Sequence, residues 1–262
     1  DVLFVTTNDI DDPVRGCDRR SARLREHLGN SFELTSTSYR KSEQENRSTD
    51  AHNRSFPYPR SSLLAPFNPR VLYYIIEKCR QDEYDVVVAS ALGSILYGLV
   101  ASALVGATFV LDLHNIDDQL SSEIGDYPRY IFAKVFTTIG LRRADIVVVT
   151  SEADKSSFDK IIQQKTIVVA NGFDSDTFQL EDSDDQSPED NRLLFFGNMA
   201  YEPNIEAVHV ISETLSEEID DTLPEYEIHL AGPDSDNIEN IVVDCENVKV
   251  VGLVEDIASY IR

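Results

Sequence analysis

The stretch Ala107-Thr108-Phe109-Val110-Leu111-Asp112-Leu113-His114-Asn115 decides how this chain is read. Its core is apolar and partly β-branched, and it is too short for a typical helix. Such near-continuous runs mark strands buried on both faces of a parallel sheet. The run ends in a polar, ionisable pair, His114-Asn115. Polar residues there place chemistry at the carboxyl end of a sheet, where open α/β folds bind ligands. Leu193-Leu194-Phe195-Phe196-Gly197-Asn198-Met199 repeats the design further on. Two such crevices imply two similar domains with a substrate between them.

The pattern extends outward on both sides. Val2 to Thr6 reads as the first strand, followed by a polar loop and a helix from about Asp18 to Leu28. Phe32 to Thr37 reads as the next strand, and the polar, aperiodic stretch Arg40 to Arg60 as a long loop. Asn68-Pro69 is a helix start, a capping residue before proline at the first helical position. That helix runs to about Gln81 with Leu72, Ile75, Ile76 and Cys79 on one face. Strands follow at Val86 to Ala89, Thr108 to Leu113, Ile146 to Thr150 and Ile167 to Ala170, with helices at Leu92 to Leu104 and Tyr130 to Arg142. Ser151 to Asp154 fits the start of another helix, with Asp in the reciprocal place of a capping box.

Residues 179–191 are acidic and nearly devoid of apolar side chains, and read as a linker. It separates an N-terminal Rossmann-like domain, residues 1–178, from a partial C-terminal one, residues 192–262. The second has strands at Arg192 to Phe196, Glu227 to Ala231 and Val248 to Val251, with helices at Pro203 to Leu215 and Glu255 to Arg262. Three strands are few for an open sheet, so further strands are expected beyond Arg262. The fold class is α/β, two parallel-sheet domains with the second incomplete.

Composition narrows the function. Acidic residues number 47 against 23 basic, a net charge of −24 over 262 residues. Nucleic-acid binding needs a basic footprint, so it is disfavoured as a main activity. A high-salt cytoplasm accommodates such charge, because the Debye length falls to roughly 3 Å at 1 M salt; an ordinary acidic protein is the alternative. Cys17, Cys79 and Cys245 lie far apart without metal-ligand spacing, which supports neither a disulfide framework nor a zinc site. No signal peptide is evident, and the apolar stretch Leu92 to Leu113 is interrupted by Gly93, Gly98, Gly106 and Asp112. These features place the protein in the cytoplasm or at the inner face of the membrane, with membrane contact at most peripheral.

Several motifs occur in a telling order. Gly16-Cys17-Asp18-Arg19-Arg20 follows the first strand, and Asp112-Leu113-His114-Asn115-Ile116-Asp117 ends a later one. Ser151-Glu152 and Ala170-Asn171-Gly172-Phe173-Asp174 come next, with Phe178 shortly after. The second domain opens with Phe195-Phe196-Gly197-Asn198-Met199 and Pro203-Asn204, then Ala231-Gly232-Pro233 and Val251-Gly252-Leu253-Val254. In this order the chain resembles the GT-B glycosyltransferases, especially the retaining family 4 group that uses nucleotide-sugar donors. The resemblance spans nearly the whole chain. It implies a metal-independent transferase moving a sugar from a nucleotide sugar, a substrate rather than a cofactor, to a glycan or lipid-linked acceptor.

The resemblance also assigns roles. His114 is the expected catalytic residue, a hydrogen-bond donor to the transferred sugar rather than a general base. Gly16, Arg19, Arg20, Gly197 and Asn198 are expected at donor or acceptor phosphates; glycine and a helix start free backbone N–H groups, and arginine forks onto phosphate. A solvated helix face paired with Asp18 and Glu26 is the plainer reading of the arginines. Asn115, Asp117, Ser151, Asn171, Gly172, Gly232 and Val254 are expected to line the cleft, with Asn171-Gly172 forming a tight turn. The chain departs from the common family pattern in having Asn198, Met199 and Asn204 where Arg and Lys usually clamp the diphosphate. The paired glutamates of the family find no match in the sequence. An inactive fragment is therefore one alternative, and a nucleotide-sugar epimerase on the same fold is another. A nicotinamide dehydrogenase is disfavoured because no G-x-G-x-x-G follows a strand.

Overall fold

The computed structural model describes residues 1–13, 15–40, 52–59, 62–114, 127–173, 191–216, 219, 225–243 and 245–261. The chain divides into two compact units, Asp1–Asn171 and Gly172–Arg262. The linker expected at 179–191 lies almost wholly outside the described residues.

The first unit is built on a seven-stranded sheet: β1 (Val2–Thr6), β2 (Leu34–Arg40), β3 (Asn53–Pro57), β4 (Val86–Ser90), β5 (Thr108–Asp112), β6 (Ile146–Val149) and β7 (Thr166–Val168). All pairings are parallel, and the order is β3-β2-β1-β4-β5-β6-β7. The order reverses between β1 and β4, so the sheet has its switch point there. Helix α1 (Gly16–Ser31) covers one face, with Leu24 and Leu28 against Val2, Phe4 and Val88. Helices α2 (Pro69–Gln81) and α3 (Ile95–Val105) cover the other, packing Val71, Ile75, Tyr97 and Ala101 against Leu3, Val5 and Val87. Helix α4 (Tyr127–Arg143) joins the cluster around Phe109, Leu111 and Val147 through Phe136 and Leu141. Leu111 is fully buried there, so truncating it to alanine would cost about 2–5 kcal/mol. Gly98 lets α3 lie close to the sheet: a Cβ would sit 2.6 Å from the Phe109 ring and 2.8 Å from the Ala89 methyl.

Short helices α5 (Glu152–Ser157) and α6 (Lys160–Gln164) lie between β6 and β7. Ser151 caps α5 by accepting from Asp154 N at 3.0 Å, and Asp159 caps α6 in the same way. Asn68 caps α2, with Pro69 in its first turn.

The second unit has three parallel strands, β8 (Arg192–Phe196), β9 (Glu227–Ala231) and β10 (Val248–Gly252), in the order β10-β9-β8. Its core joins Met199, Val208, Ile228, Leu230 and Ile238. Helices α7 (Glu202–Val210) and α8 (Ile257–Ile261) complete its regular helices among the described residues.

Three expectations are corrected. The stretch read as a loop from Arg40 to Arg60 contains edge strand β3, which pairs with β2 from Ser36↔Asn53 to Arg40↔Pro57. It has no apolar alternation because Asn53 and Ser55 face serines; Phe56 alone anchors it in the core, and Pro57 is tolerated at an edge. The single helix expected at Leu92 to Leu104 begins as a 3₁₀ turn, Leu92–Ser94, before α3. Ser94 Oγ bonds the carbonyls of Ser90 and Ala91, tightening that turn. The helix expected at Pro203 to Leu215 relaxes into a π-helical segment at Ile211–Leu215. There Ser212 Oγ donates to the Val208 and His209 carbonyls, inserting a side chain into the backbone ladder.

Candidate functional site

The carboxyl ends of β1, β4 and β5 meet the first turns of α1 at the switch point. Asp112 is the centre of this cluster. It ends β5 on the α1 face, and its side chain is only 2% exposed. Oδ1 accepts from Arg20 through Nη2 at 2.8 Å and Nε at 3.3 Å. Oδ2 accepts from Ser90 Oγ at 2.8 Å and lies 3.0 Å from His114 Nε2. A buried carboxylate so surrounded is satisfied, which is what permits its charge away from water.

His114 stands two residues beyond Asp112, hence on the same face of the extended chain. Its Nε2 is also 2.9 Å from Ser90 Oγ and 3.5 Å from Ser21 Oγ. Ser21 in turn meets Ser90 at 3.0 Å and accepts from Asn8 Nδ2 at 2.9 Å. Since Ser90 donates to Asp112, Nε2 is the nitrogen that carries hydrogen toward the carboxylate. The other nitrogen, Nδ1, is buried and, among the described residues, has no hydrogen-bond partner of normal geometry. A buried polar atom left unpaired costs about 1–3 kcal/mol and calls for an explanation.

Electrostatics follow the geometry. Burial alone disfavours the Asp112 charge, but the hydrogen bonds and charges of His114 and Arg20 outweigh it and hold its pKa below the usual carboxylate value. Burial likewise opposes the His114 imidazolium, while Asp112 and the Cys17 thiol push its pKa above the usual imidazole value, against an opposing push from Arg20. The net effect widens the pH range over which Nδ1 also carries a hydrogen.

Arg20 reaches further. Its Nη1 donates to the Val169 carbonyl and to Asn171 Oδ1, each at 2.9 Å. The structure thus joins three sequence motifs, those of Arg20, His114 and Asn171. It also gives Arg20 a different use from the expected one: the side chain is 7% exposed and braces β5 to the segment after β7, instead of forking onto phosphate. Arg19 is exposed and only approaches the Pro13 carbonyl, at 3.4 Å, and Gly16 is open, with nothing within 4 Å of a would-be Cβ. Arg23 takes the plainer reading, paired with Glu26 on the exposed face of α1, whereas Asp18 is buried and pairs with Arg15. The expected tight turn at Asn171-Gly172 does not form; Gly172 lacks a positive φ, and the Asn171 side chain serves as an acceptor. Ser151 has a capping role, and Asn115 and Asp117 lie outside the described residues.

Backbone strain marks the same locality. Ala91, next to Ser90, has φ 78° and ψ 156°, a region that costs a side-chain-bearing residue about 1–3 kcal/mol.

In the second unit, Gly197, Asn198, Gly232 and Val254 lie at or beyond the strand ends. Gly197 N donates to the Ala231 carbonyl and Met199 N to that of Pro233. Ala200 N bonds Asn198 Oδ1, and Tyr201 N the Asn198 carbonyl. The amides of Gly197, Met199, Ala200 and Tyr201 are therefore internally satisfied. Close packing accounts for the glycines: at Gly232, φ 147°, a Cβ would fall 1.8 Å from the Gly197 carbonyl oxygen. Gly197 faces Asn204, whose Nδ2 donates to the Asn198 carbonyl. Val254 is half-buried.

Asn8, Ser21 and Ser90 carry no distinguishing mark in the sequence, and Asp112 stands there only as part of the His114 motif. Only Asp112 left a signal, through its i, i+2 spacing to His114 at a strand end. Among the described residues no cluster of three metal-ligating side chains occurs, and no helix is long and apolar enough to cross a membrane.

The family model of Glycosyltransferase Family 4 matches residues 16–177. No curated protein sequence matches the chain. Among solved structures, HepE of Anabaena in complex with UDP and glucose is similar at a TM-score of 0.65 and 18% identity, covering 99% of this chain and 71% of that one. Sucrose-phosphate synthase from Thermosynechococcus elongatus is similar at 0.70 and 15%, covering 99% and 72%. A putative UDP-N-acetylglucosamine 2-epimerase from Listeria monocytogenes is similar at 0.56 and 13%, covering 99% and 70%. Identities this low speak to the GT-B fold alone.

Proposed function

The chain belongs to glycosyltransferase family 4, and from that premise we propose that it transfers a sugar from a nucleotide-sugar donor to a glycan or lipid-linked acceptor, without a metal and with retention of anomeric configuration. The observation that carries the reading is the asymmetry of His114. One nitrogen is held by Asp112 and Ser90, and the other is unpaired. A ring fixed in this way offers a directed N–H to a sugar oxygen, and Asp112 favours the protonated form that makes Nδ1 a donor. Nδ1 is closed off from solvent, so engagement includes a local opening around His114.

The role of the site is positioning and charge stabilisation. The nearest carboxylate, Asp112, is fully engaged with Arg20, Ser90 and His114. It is a poor candidate for attack on the anomeric carbon, which favours a same-face reaction in which the departing diphosphate takes the acceptor's proton. Gly16 and Arg19, exposed at the start of α1, are the phosphate-binding candidates left open. UDP and glucose bind the Anabaena protein, which makes UDP-glucose the first donor to test. Cytoplasmic work on membrane-borne acceptors is part of the same reading.

The test is incubation of the protein with UDP-sugars and a panel of glycosides, following product anomers by proton NMR. Acceptor-dependent transfer giving the donor's anomeric configuration supports the proposal. An inverted product would end the retaining reading. Conversion of the nucleotide sugar without acceptor would make the protein an epimerase.

A further inference from the structure

A second feature lies on the same face of the sheet as His114. Helix α1 covers β1, β4 and Leu34 at the start of β2 with Leu24 and Leu28, whereas the rest of β2 and β3 turn hydroxyls and amides toward that face. The parallel register sets Ser36 beside Asn53 and Ser38 beside Ser55. The result is a pocket of about 230 Å³ in which Asp11, Arg25, Ser36, Ser38, Asn53 and Ser55 meet the side chain of Ile10. So many hydroxyl, amide and charged groups are unusual on the covered face of a doubly wound sheet, which is normally apolar.

Arg25 is its distinctive member. Its Nε is buried and has no hydrogen-bond partner, and no carboxylate pairs with it among the described residues. A buried guanidinium nitrogen without an acceptor is costly in any protein. It stands out more in a chain of net charge −24, where carboxylates abound. Arg54 also borders the pocket, but its guanidinium is occupied over the rings of Phe56 and Tyr74, at 5.3 and 5.2 Å. Among the described residues that line the pocket, the free cationic donor is therefore Arg25. Asp11 supplies one negative counter-charge and an acceptor for hydroxyls, and Ser38 and Ser55 add hydroxyl groups.

We propose that this pocket binds one hydroxyl-rich unit carrying an anionic group, a carboxylate or a phosphate, with Arg25 forked onto the anion and Asp11 accepting from a hydroxyl. Its volume is below the roughly 300–1,000 Å³ of pockets for drug-sized ligands, which fits one sugar ring and not a long chain. Arg25 stands one helical turn beyond Ser21, the residue that touches His114 and Ser90, so α1 presents both sites from one side. The β1–α1 loop serves both as well: Asn8 bonds Ser21, and Asp11 lines the pocket. Resting on the transferase reading, the occupant is an acidic sugar of the acceptor, and the pocket selects acceptors by charge.

The experiment is saturation-transfer NMR on the whole chain with glucuronate, glucose 6-phosphate and glucose as separate probes, in wild type, Arg25→Met, Arg25→Lys and Ser38→Ala. The expected result is binding of one or both anionic sugars, no binding of glucose, at least a tenfold loss in Arg25→Met and partial recovery in Arg25→Lys. Glucuronate against glucose 6-phosphate identifies the anion. Equal binding of glucose, or anion binding untouched in Arg25→Met, would overturn the proposal. Should Arg25→Met fail to fold, Ser38→Ala must weaken the anion by at least threefold, and undiminished binding there overturns it equally. No donor is present, so a failed transfer assay leaves this result standing. Loss of the pocket would likewise leave the transferase reading to its own test.

Discussion

Replacement of Arg20 by methionine is the most informative perturbation of the site. It removes the bonds to Asp112 at 2.8 and 3.3 Å and those to Val169 and Asn171 at 2.9 Å. The ion pair is nearly closed to solvent, with side chains 7% and 2% exposed. Breaking a buried pair by removing one partner costs about 3–5 kcal/mol, much of it from the charge left behind. Here Asp112 keeps Ser90 and His114, so the lower end applies, about 3 kcal/mol. Asp112→Asn removes the charge without changing shape, leaving Arg20 with neutral oxygen partners and His114 without its counter-charge; a similar loss is expected. The double variant should be less destabilised than the sum, by a coupling of about 2 kcal/mol. Urea denaturation at constant salt measures all four forms. The coupling should persist from low to molar KCl, because buried pairs are little screened. Single losses below about 1 kcal/mol with coupling below about 0.5 kcal/mol would refute the reasoning.

Other consequences are testable in the same way. The Asp112 contribution is complete above the ordinary carboxylate pKa and disappears as pH falls through its lowered value; that of His114 is complete below the ordinary imidazole pKa and disappears as pH rises through its raised value. Their joint stabilisation is greatest between about pH 4 and 6.5, and His114→Gln should flatten the alkaline limb of the wild-type stability–pH profile. Gly232→Ala forces a Cβ against the Gly197 carbonyl at 1.8 Å, so a loss above about 3 kcal/mol, or failure to fold, is expected in circular-dichroism melts. Ala91→Gly should do the opposite: relief of φ 78° less the flexibility cost of glycine leaves a gain near 1 kcal/mol, read as a higher Tm.

Much of the first unit was legible because its strands are buried on both faces. Val2–Thr6, Val86–Ser90 and Thr108–Asp112 are near-continuous apolar runs, which little else resembles. Strand β3 was illegible for the converse reason: Asn53 and Ser55 lie against serines and its one core contact is Phe56, so it carries no periodic signal. The π-helical segment was equally hidden, since it depends on where the Ser212 hydroxyl turns. At the site, His114 could be singled out because polar residues at strand ends are conspicuous. What Arg20 does could not. Its partners Asp112 and Asn171 are 92 and 151 residues away, and only the sheet order brings them together. Local sequence made it a phosphate ligand; long-range topology makes it a brace.

The central claim is that His114 is anchored through one nitrogen and meets the sugar donor with the other. The direct measurement is ¹⁵N NMR of the His114 ring during titration with UDP-glucose. The account predicts that the Nδ1 resonance moves with donor while Nε2 stays near its starting position, held by Asp112. Both resonances unmoved at saturating donor, or Nε2 moving while Nδ1 stays fixed, would contradict it.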